Sequence, residues 1–262
     1  MSRPYSFHGD WDARVVATAI HAGHDLRPEV AGQMVLPEVD RLREEDPHTG
    51  RLASVVGPHV VVHRSRFEVD LNRPREDAVY RTPADCWDLQ VWRDTALPDD
   101  LVAGSLELYD AFHADLAERL DALAATGPFV LYDVHSYNHR RDGADSPASD
   151  PDENPEVNVG TGTLDHARFG GVVDAFITSL SAAQVPWGSL DVRENVRFKG
   201  GHLSTWVHER YPGVGCVLAL EFRKSFMDEW TGEVDQARLD GLAAALAATV
   251  PPVEDALGRE PR

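Results

Sequence analysis

Short apolar runs alternate with longer stretches in which apolar residues recur every three or four positions, a pattern that predicts strands laid between helices. The runs near 14–20, 59–63, 129–134, 188–193 and 215–222 read as strands. The longest helical stretch opens at Asp99-Asp100, where negative charge suits a helix start. It carries Leu101, Leu106, Leu108, Phe112, Leu116, Leu120 and Leu123 as an apolar stripe, and Thr126-Gly127-Pro128 ends it. Further helices are predicted over 164–184, after Gly200-Gly201, and over 234–249. Together these elements predict an α/β fold in which one domain spans 1–262, with a mixed, mostly parallel sheet and helices on both faces. The segment from Asp142 to Pro155, dense in Asp, Ser, Pro and Glu, reads as a mobile loop, either a lid or a surface excursion. The tail beyond Pro251-Pro252 reads as frayed.

Charge narrows the partners. With 25 Lys and Arg against 44 Asp and Glu, the net charge of −19 opposes a polyanionic partner, so nucleic acid and anionic membrane are not expected. Cys86 and Cys216 are far apart and form no CxxC pair, which argues against a disulfide framework and against a thiolate metal cluster. Cys216 lies in an apolar run and reads as a small buried hydrophobe. The N-terminus lacks an apolar stretch of ~7–15 residues and no run approaches ~18, so a cytoplasmic protein is expected.

Candidate chemistry gathers where the apolar runs stop. His135 follows Phe129-Val130-Leu131-Tyr132 within Asp133-Val134-His135-Ser136, and His21 follows Val15-Val16-Ala17-Thr18-Ala19-Ile20. Ligands of α/β proteins bind at the carboxyl ends of strands, so these two imidazoles can meet at one metal although distant in sequence. Arg64, Arg66 and Arg73 lie within ten residues of one another with Asn72, Glu68 and Asp70. Such a cluster suits bidentate binding of a carboxylate, or else forms an ordinary surface salt-bridge network. Glu221 closes the run Val217-Leu218-Ala219-Leu220. Burial there raises a carboxyl pKa toward that of a general base, unless the residue is a structural partner of Arg223. Arg197 and Lys199 precede Gly200-Gly201 and a helix start, where backbone N–H groups accept anions.

These segments, taken in order, resemble the N-formylglutamate amidohydrolase family. They are His21-Ala22-Gly23, the acidic stretch ending at Asp46, Ser65-Arg66 with Asp70-Leu71-Asn72-Arg73, Asp133-Val134-His135-Ser136, Asn158-Val159-Gly160-Thr161, Arg197-Phe198-Lys199-Gly200-Gly201, and Glu221 with Met227-Asp228-Glu229. The resemblance implies a phosphorylase/hydrolase-like α/β fold related to zinc carboxypeptidases and aspartoacylases. It implies one Zn²⁺, or another divalent metal, held by His21, His135 and an acid taken as Asp46, with Glu45 and His24 as the alternatives. It also implies Glu221 as general base, Arg66 polarising the scissile carbonyl, Asn72 and Arg73 holding a substrate carboxylate, and Lys199 as a further anion contact. Two departures stand out: His24 occupies the position where zinc carboxypeptidases carry an acid, and Arg223-Lys224 follows the catalytic-type glutamate.

The expected function is hydrolysis of the linear amide of a small N-acyl amino acid such as N-formyl-L-glutamate. The alternatives are a peptidase or deacylase of another carboxylate-bearing amide and a non-catalytic carboxylate-binding protein.

Overall fold

The computed structural model describes residues 3–94 and 97–259. The strands, in chain order, are β1 (Tyr5–His8), β2 (Val15–Ala19), β3 (His59–Val62), β4 (Phe129–Tyr137), β5 (Val157–Gly160), β6 (Gln184–Val185), β7 (Gly188–Ser189), β8 (Val192–Glu194) and β9 (Gly215–Arg223). The helices are α1 (Pro28–Ala31), α2 (Glu38–Glu44), α3 (Thr49–Ala53), α4 (Asp99–Thr126), α5 (His166–Ala182), α6 (His202–Arg210), α7 (Gln236–Ala247) and α8 (Val250–Arg259). Seven strands form one sheet in the order β1-β3-β2-β4-β9-β5-β8, and β6 and β7 pair as a separate ribbon.

Strands β3, β2, β4 and β9 run parallel, whereas β1 at one edge and the β5–β8 pair at the other run against them. The expected mixed, mostly parallel α/β sheet is therefore what the chain forms. Every residue of β2 and β4 is buried, as befits strands covered on both faces, and alternate side chains feed two cores. Val15, Ala17, Tyr132, Val134, Leu218 and Leu220 face α3, α5, α7 and α8. Val16, Ile20, Leu131 and Val217 face the stripe Phe112, Leu116, Leu120 and Leu123 of α4 and the inner side of α6. Asp165 and Asp235 cap α5 and α7 by accepting from the backbone N–H of Arg168 and Arg238.

Four readings of the sequence need correction. Strands β1 and β5 were not foreseen, because each has only four residues and β1 lies half-exposed at the edge. The run 188–193 is not one strand but the end of the ribbon followed by β8. The tail beyond Pro251-Pro252 is not frayed through its described part: the prolines sit in the first turn of α8, where their missing N–H groups cost nothing, and Val253 and Leu257 are buried in the core. Residues 260–262 lie outside the described residues. Arg223 does not pair with Glu221; it donates to the Asn154 carbonyl and lies 3.8 Å from Glu156.

Both cysteines are buried, and they form no disulfide with each other. Among the described residues no helix is long and apolar enough to cross a membrane.

Candidate active site

The carboxyl ends of β2, β4 and β9 open onto one cavity of about 380 Å³. Parallel pairing of β4 with β9 sets His135 directly beside Glu221, and β2 delivers His21 two residues beyond its end. The turn after α2 brings Asp46 to both histidines: its Oδ2 lies 3.0 Å from His135 Nδ1 and 3.5 Å from His21 Nδ1. The donor atoms of His21, Asp46 and His135 all lie within 4.8 Å of one another, and the three residues are buried. Of the alternatives for the acidic ligand, Glu45 turns away to Arg41 (2.9 Å) and Ser65, and His24 is exposed beside a different pocket.

The far nitrogens of both rings face carboxylates. His21 Nε2 is 2.7 Å from Asp70 Oδ1, and His135 Nε2 is 3.0 Å from Asp133 Oδ2. Thr18 donates to Asp133 Oδ1 at 2.7 Å, and Arg66 and Tyr80 both donate to Asp70 Oδ2. An imidazole that donates its far N–H to a carboxylate presents a basic lone pair on its near nitrogen, the usual arrangement behind metal-binding histidines. His21 Nδ1 is buried and has no hydrogen-bond partner. An orphaned imidazole nitrogen beside a carboxylate and a second imidazole is a donor set that fits a divalent metal.

The charges follow from these contacts. Burial opposes ionisation of Asp46 and Asp70, but the two histidines beside Asp46, and Arg66 and His21 beside Asp70, outweigh it and hold both carboxyls below the usual range. Burial pushes Glu221 up to about 8, with His135 opposing. The residue is half-buried and lines the cavity.

The remaining site residues divide. Arg66, Asn72 and Lys199 line the cavity, and the Arg66 guanidinium also lies 4.9 Å from the centre of the exposed Trp87 ring. Asn72 braces α6 by accepting from Leu203 N at 2.9 Å. Gly201 packs so closely on the Asn72 amide that a Cβ there would sit 2.4 Å from its nitrogen, and Gly200 before it adopts φ +106°. These two constraints account for the glycine pair. Arg73 does not line the cavity: its guanidinium donates to the Asp85 carbonyl at 2.6 Å and lies over the Tyr80 ring. Its neighbourhood is a buried polar network rather than a surface one, since Arg64, Glu68 and Asp70 are all buried. No residue of 142–155 lines the cavity.

Other residues of the site escaped the sequence reading. Asp70 and Asp133 lay inside quoted motifs, where the two-residue spacing of Asp133 and His135 on one strand face was an available signal. Asn158, buried in β5, accepts from Arg197 N at 2.8 Å and donates to the Phe198 carbonyl at 2.8 Å, hanging the segment of Arg197 and Lys199 over the cavity. Arg141 and Lys224, together with Arg197, which the sequence already offered beside Lys199, complete the cationic lining. Nothing local marked Arg141, which comes from a loop.

Two imidazoles, a carboxylate pair and an arginine gathered at the carboxyl edge of a mixed α/β sheet are groups suited to hydrolytic chemistry. The particular family is set by comparison. A model of the N-formylglutamate amidohydrolase family matches residues 13–227, and the chain belongs to that family. An N-formylglutamate deformylase of Pseudomonas aeruginosa is 28% identical over 228 residues, covering 80% of each chain. The crystal structure of an N-formylglutamate amidohydrolase from Ralstonia eutropha JMP134 superposes with a TM-score of 0.76 at 19% identity, covering 96% of this chain and 97% of the other. A gene product of Agrobacterium tumefaciens superposes with a TM-score of 0.66 at 16% identity, covering 98% and 96%.

Proposed function

We propose that this chain is a metal-dependent amidohydrolase that cleaves the linear amide of a small N-acyl amino acid, N-formyl-L-glutamate being the first substrate to try. The single observation that carries the reading is the unpartnered His21 Nδ1 facing Asp46 and His135, with Glu221 next to His135 across the sheet. The Pseudomonas aeruginosa relative, an N-formylglutamate deformylase, supports the substrate.

His21, Asp46 and His135 would hold the metal, with zinc favoured by the imidazole and carboxylate donors. When bound it supplies Lewis acidity to the site. Glu221 takes the proton of the attacking water at its carboxylate and returns it to the leaving amine, a task suited to a carboxyl raised by burial. A guanidinium has five N–H donors, and Arg66 commits two of them to Asp70 and Tyr80, leaving donors for the developing oxyanion. Lys199, with Arg197 and Arg141 nearby on the cavity wall, binds the substrate carboxylates. Arg73 supports this from behind, holding Tyr80 and the Asp85 turn instead of touching substrate. A carboxylate beside His135 in the ligand cavity disfavours a non-catalytic carboxylate binder, because proton transfer gives it a role that anion binding alone does not.

Amine release from a panel of N-acyl amino acids, with the protein stripped by chelator and then reloaded with zinc, tests the reading. Zinc-restored hydrolysis of N-formyl-L-glutamate is expected. Hydrolysis unchanged by stripping would remove the metal, and no hydrolysis across the panel would remove the reaction.

A further inference from the structure

Lys224 is fully buried, and among the described residues its ammonium has no carboxylate partner within ion-pair distance. Its three hydrogen bonds go to the carbonyls of Arg43 (2.6 Å) and Glu45 (2.7 Å) and to Asn138 Oδ1 (3.0 Å). An ammonium has three N–H donors, so these contacts saturate it. Although Lys224 lines the cavity, it has no donor left for a substrate anion. Burying a cation against neutral acceptors is costly, and an apolar side chain of similar size would avoid that cost. The placement therefore calls for a role.

The peptide unit between Glu45 and Asp46 supplies one. Its N–H donates to the His21 carbonyl at 3.0 Å, and its carbonyl accepts from Lys224 Nζ. The Arg43 carbonyl, at the C-terminal end of α2, is held by the same ammonium. Lys224 N in turn donates to the Tyr137 carbonyl at 3.0 Å, locking this residue to the strand that carries His135. We infer that Lys224 is a positioning residue that fixes the Asp46 carboxylate between His21 and His135, by clamping the one peptide bond that precedes it. This rests on the metal reading of the site and adds the element that holds its acidic ligand in place. Groups standing behind a metal ligand typically set ~10–100-fold in metal affinity.

The test is zinc affinity, measured by chelator competition on purified wild type, Lys224→Met and Leu246→Ala. The last is a core change in α7 chosen to lower thermal stability without touching the cavity. Lys224→Met is expected to bind zinc ~10–100-fold more weakly and to lose kcat with KM changed less than about threefold, because the ammonium does not touch substrate. Leu246→Ala is expected to keep wild-type affinity. Asn138→Ala removes one of the three acceptors while leaving the lysine, and it is read in place of Lys224→Met if that variant does not fold. A fall in zinc affinity is expected there as well. Wild-type affinity in whichever of the two is read overturns the inference, as does an equal loss in Leu246→Ala. Absence of zinc binding by the wild type overturns the metal reading itself, and the inference with it.

Discussion

At the scale of single residues, the site turns on which polar groups are satisfied and which are not. Glu221 lies beside His135 in the sheet and, among the described residues, forms no hydrogen-bonded ion pair, so its amide counterpart keeps the shape and removes the proton acceptor. Glu221→Gln is expected to retain metal by elemental analysis and to lose ~100-fold or more in turnover. The arginines separate by geometry: Arg66 reaches the cavity, and Arg73 is bound to the Asp85 carbonyl outside it. Arg66→Ala should therefore depress kcat for an N-acyl amino acid and for its neutral ester alike. Arg73→Ala should leave the preference for acid over ester intact, and steady-state rates on both compounds check this. Should Arg73→Ala abolish that preference, the anion site would have to include the Tyr80 side of the cavity.

At the scale of elements, α6 shows how a helix can complete a strand. Val217 N donates to His208 Nε2 at 3.0 Å, and Thr163 Oγ1 lies 2.8 Å from the other ring nitrogen. Burial lowers the pKa of His208 to about 4, and that of His113 likewise. Above about pH 6.5 both imidazoles are neutral in the folded and unfolded chain, so their contribution is whole. Between about 6.5 and about 4 the unfolded chain takes up protons that the folded one refuses, and stability falls with falling pH by up to ~1.4 kcal/mol per unit for each group. His208→Leu strands the buried Val217 N–H, an expected loss of ~1–3 kcal/mol at pH 7. It should also roughly halve this part of the acid slope, as denaturant melts at several pH values would record. The same helix illustrates what the sequence makes legible. Gly200-Gly201 announced where α6 starts, and continuous apolar runs announced β2, β4 and β9 with the histidines and Glu221 at their ends. Strand β5 was hidden because four residues carry too little period, and α8 because its prolines read as a stop when they stand in a first turn. Asp70 and Lys224 were hidden for a different reason: their partners, His21 and the Glu45 carbonyl, are brought to them only by tertiary structure.

At the scale of the whole molecule, a net charge of −19 surrounds a cavity wall carrying Arg66, Arg141, Arg197, Lys199 and Lys224. The distant negative charges repel an anionic substrate over long range, whereas the cavity cations other than the saturated Lys224 act at contact. Salt near 0.1 M shortens the screening length to ~10 Å, which weakens the first effect far more than the second. Raising salt from ~0.01 to ~0.1 M should therefore increase kcat/KM for a doubly charged substrate, and a steep fall would mean that the cavity cations also steer from afar. Distance along the chain has its own consequence. Thr18 meets Asp133 across 115 residues, Asp46 meets His135 across 89, and His21 meets Asp70 across 49. Pairings of such separation close late in folding, because loop entropy is lost before the contact is made. The donor set of His21, Asp46 and His135 is thus incomplete in a half-folded chain, and a metal held by it would not nucleate the fold. In refolding experiments zinc uptake should track the slowest phase, and added zinc should slow unfolding while leaving the folding rate unchanged.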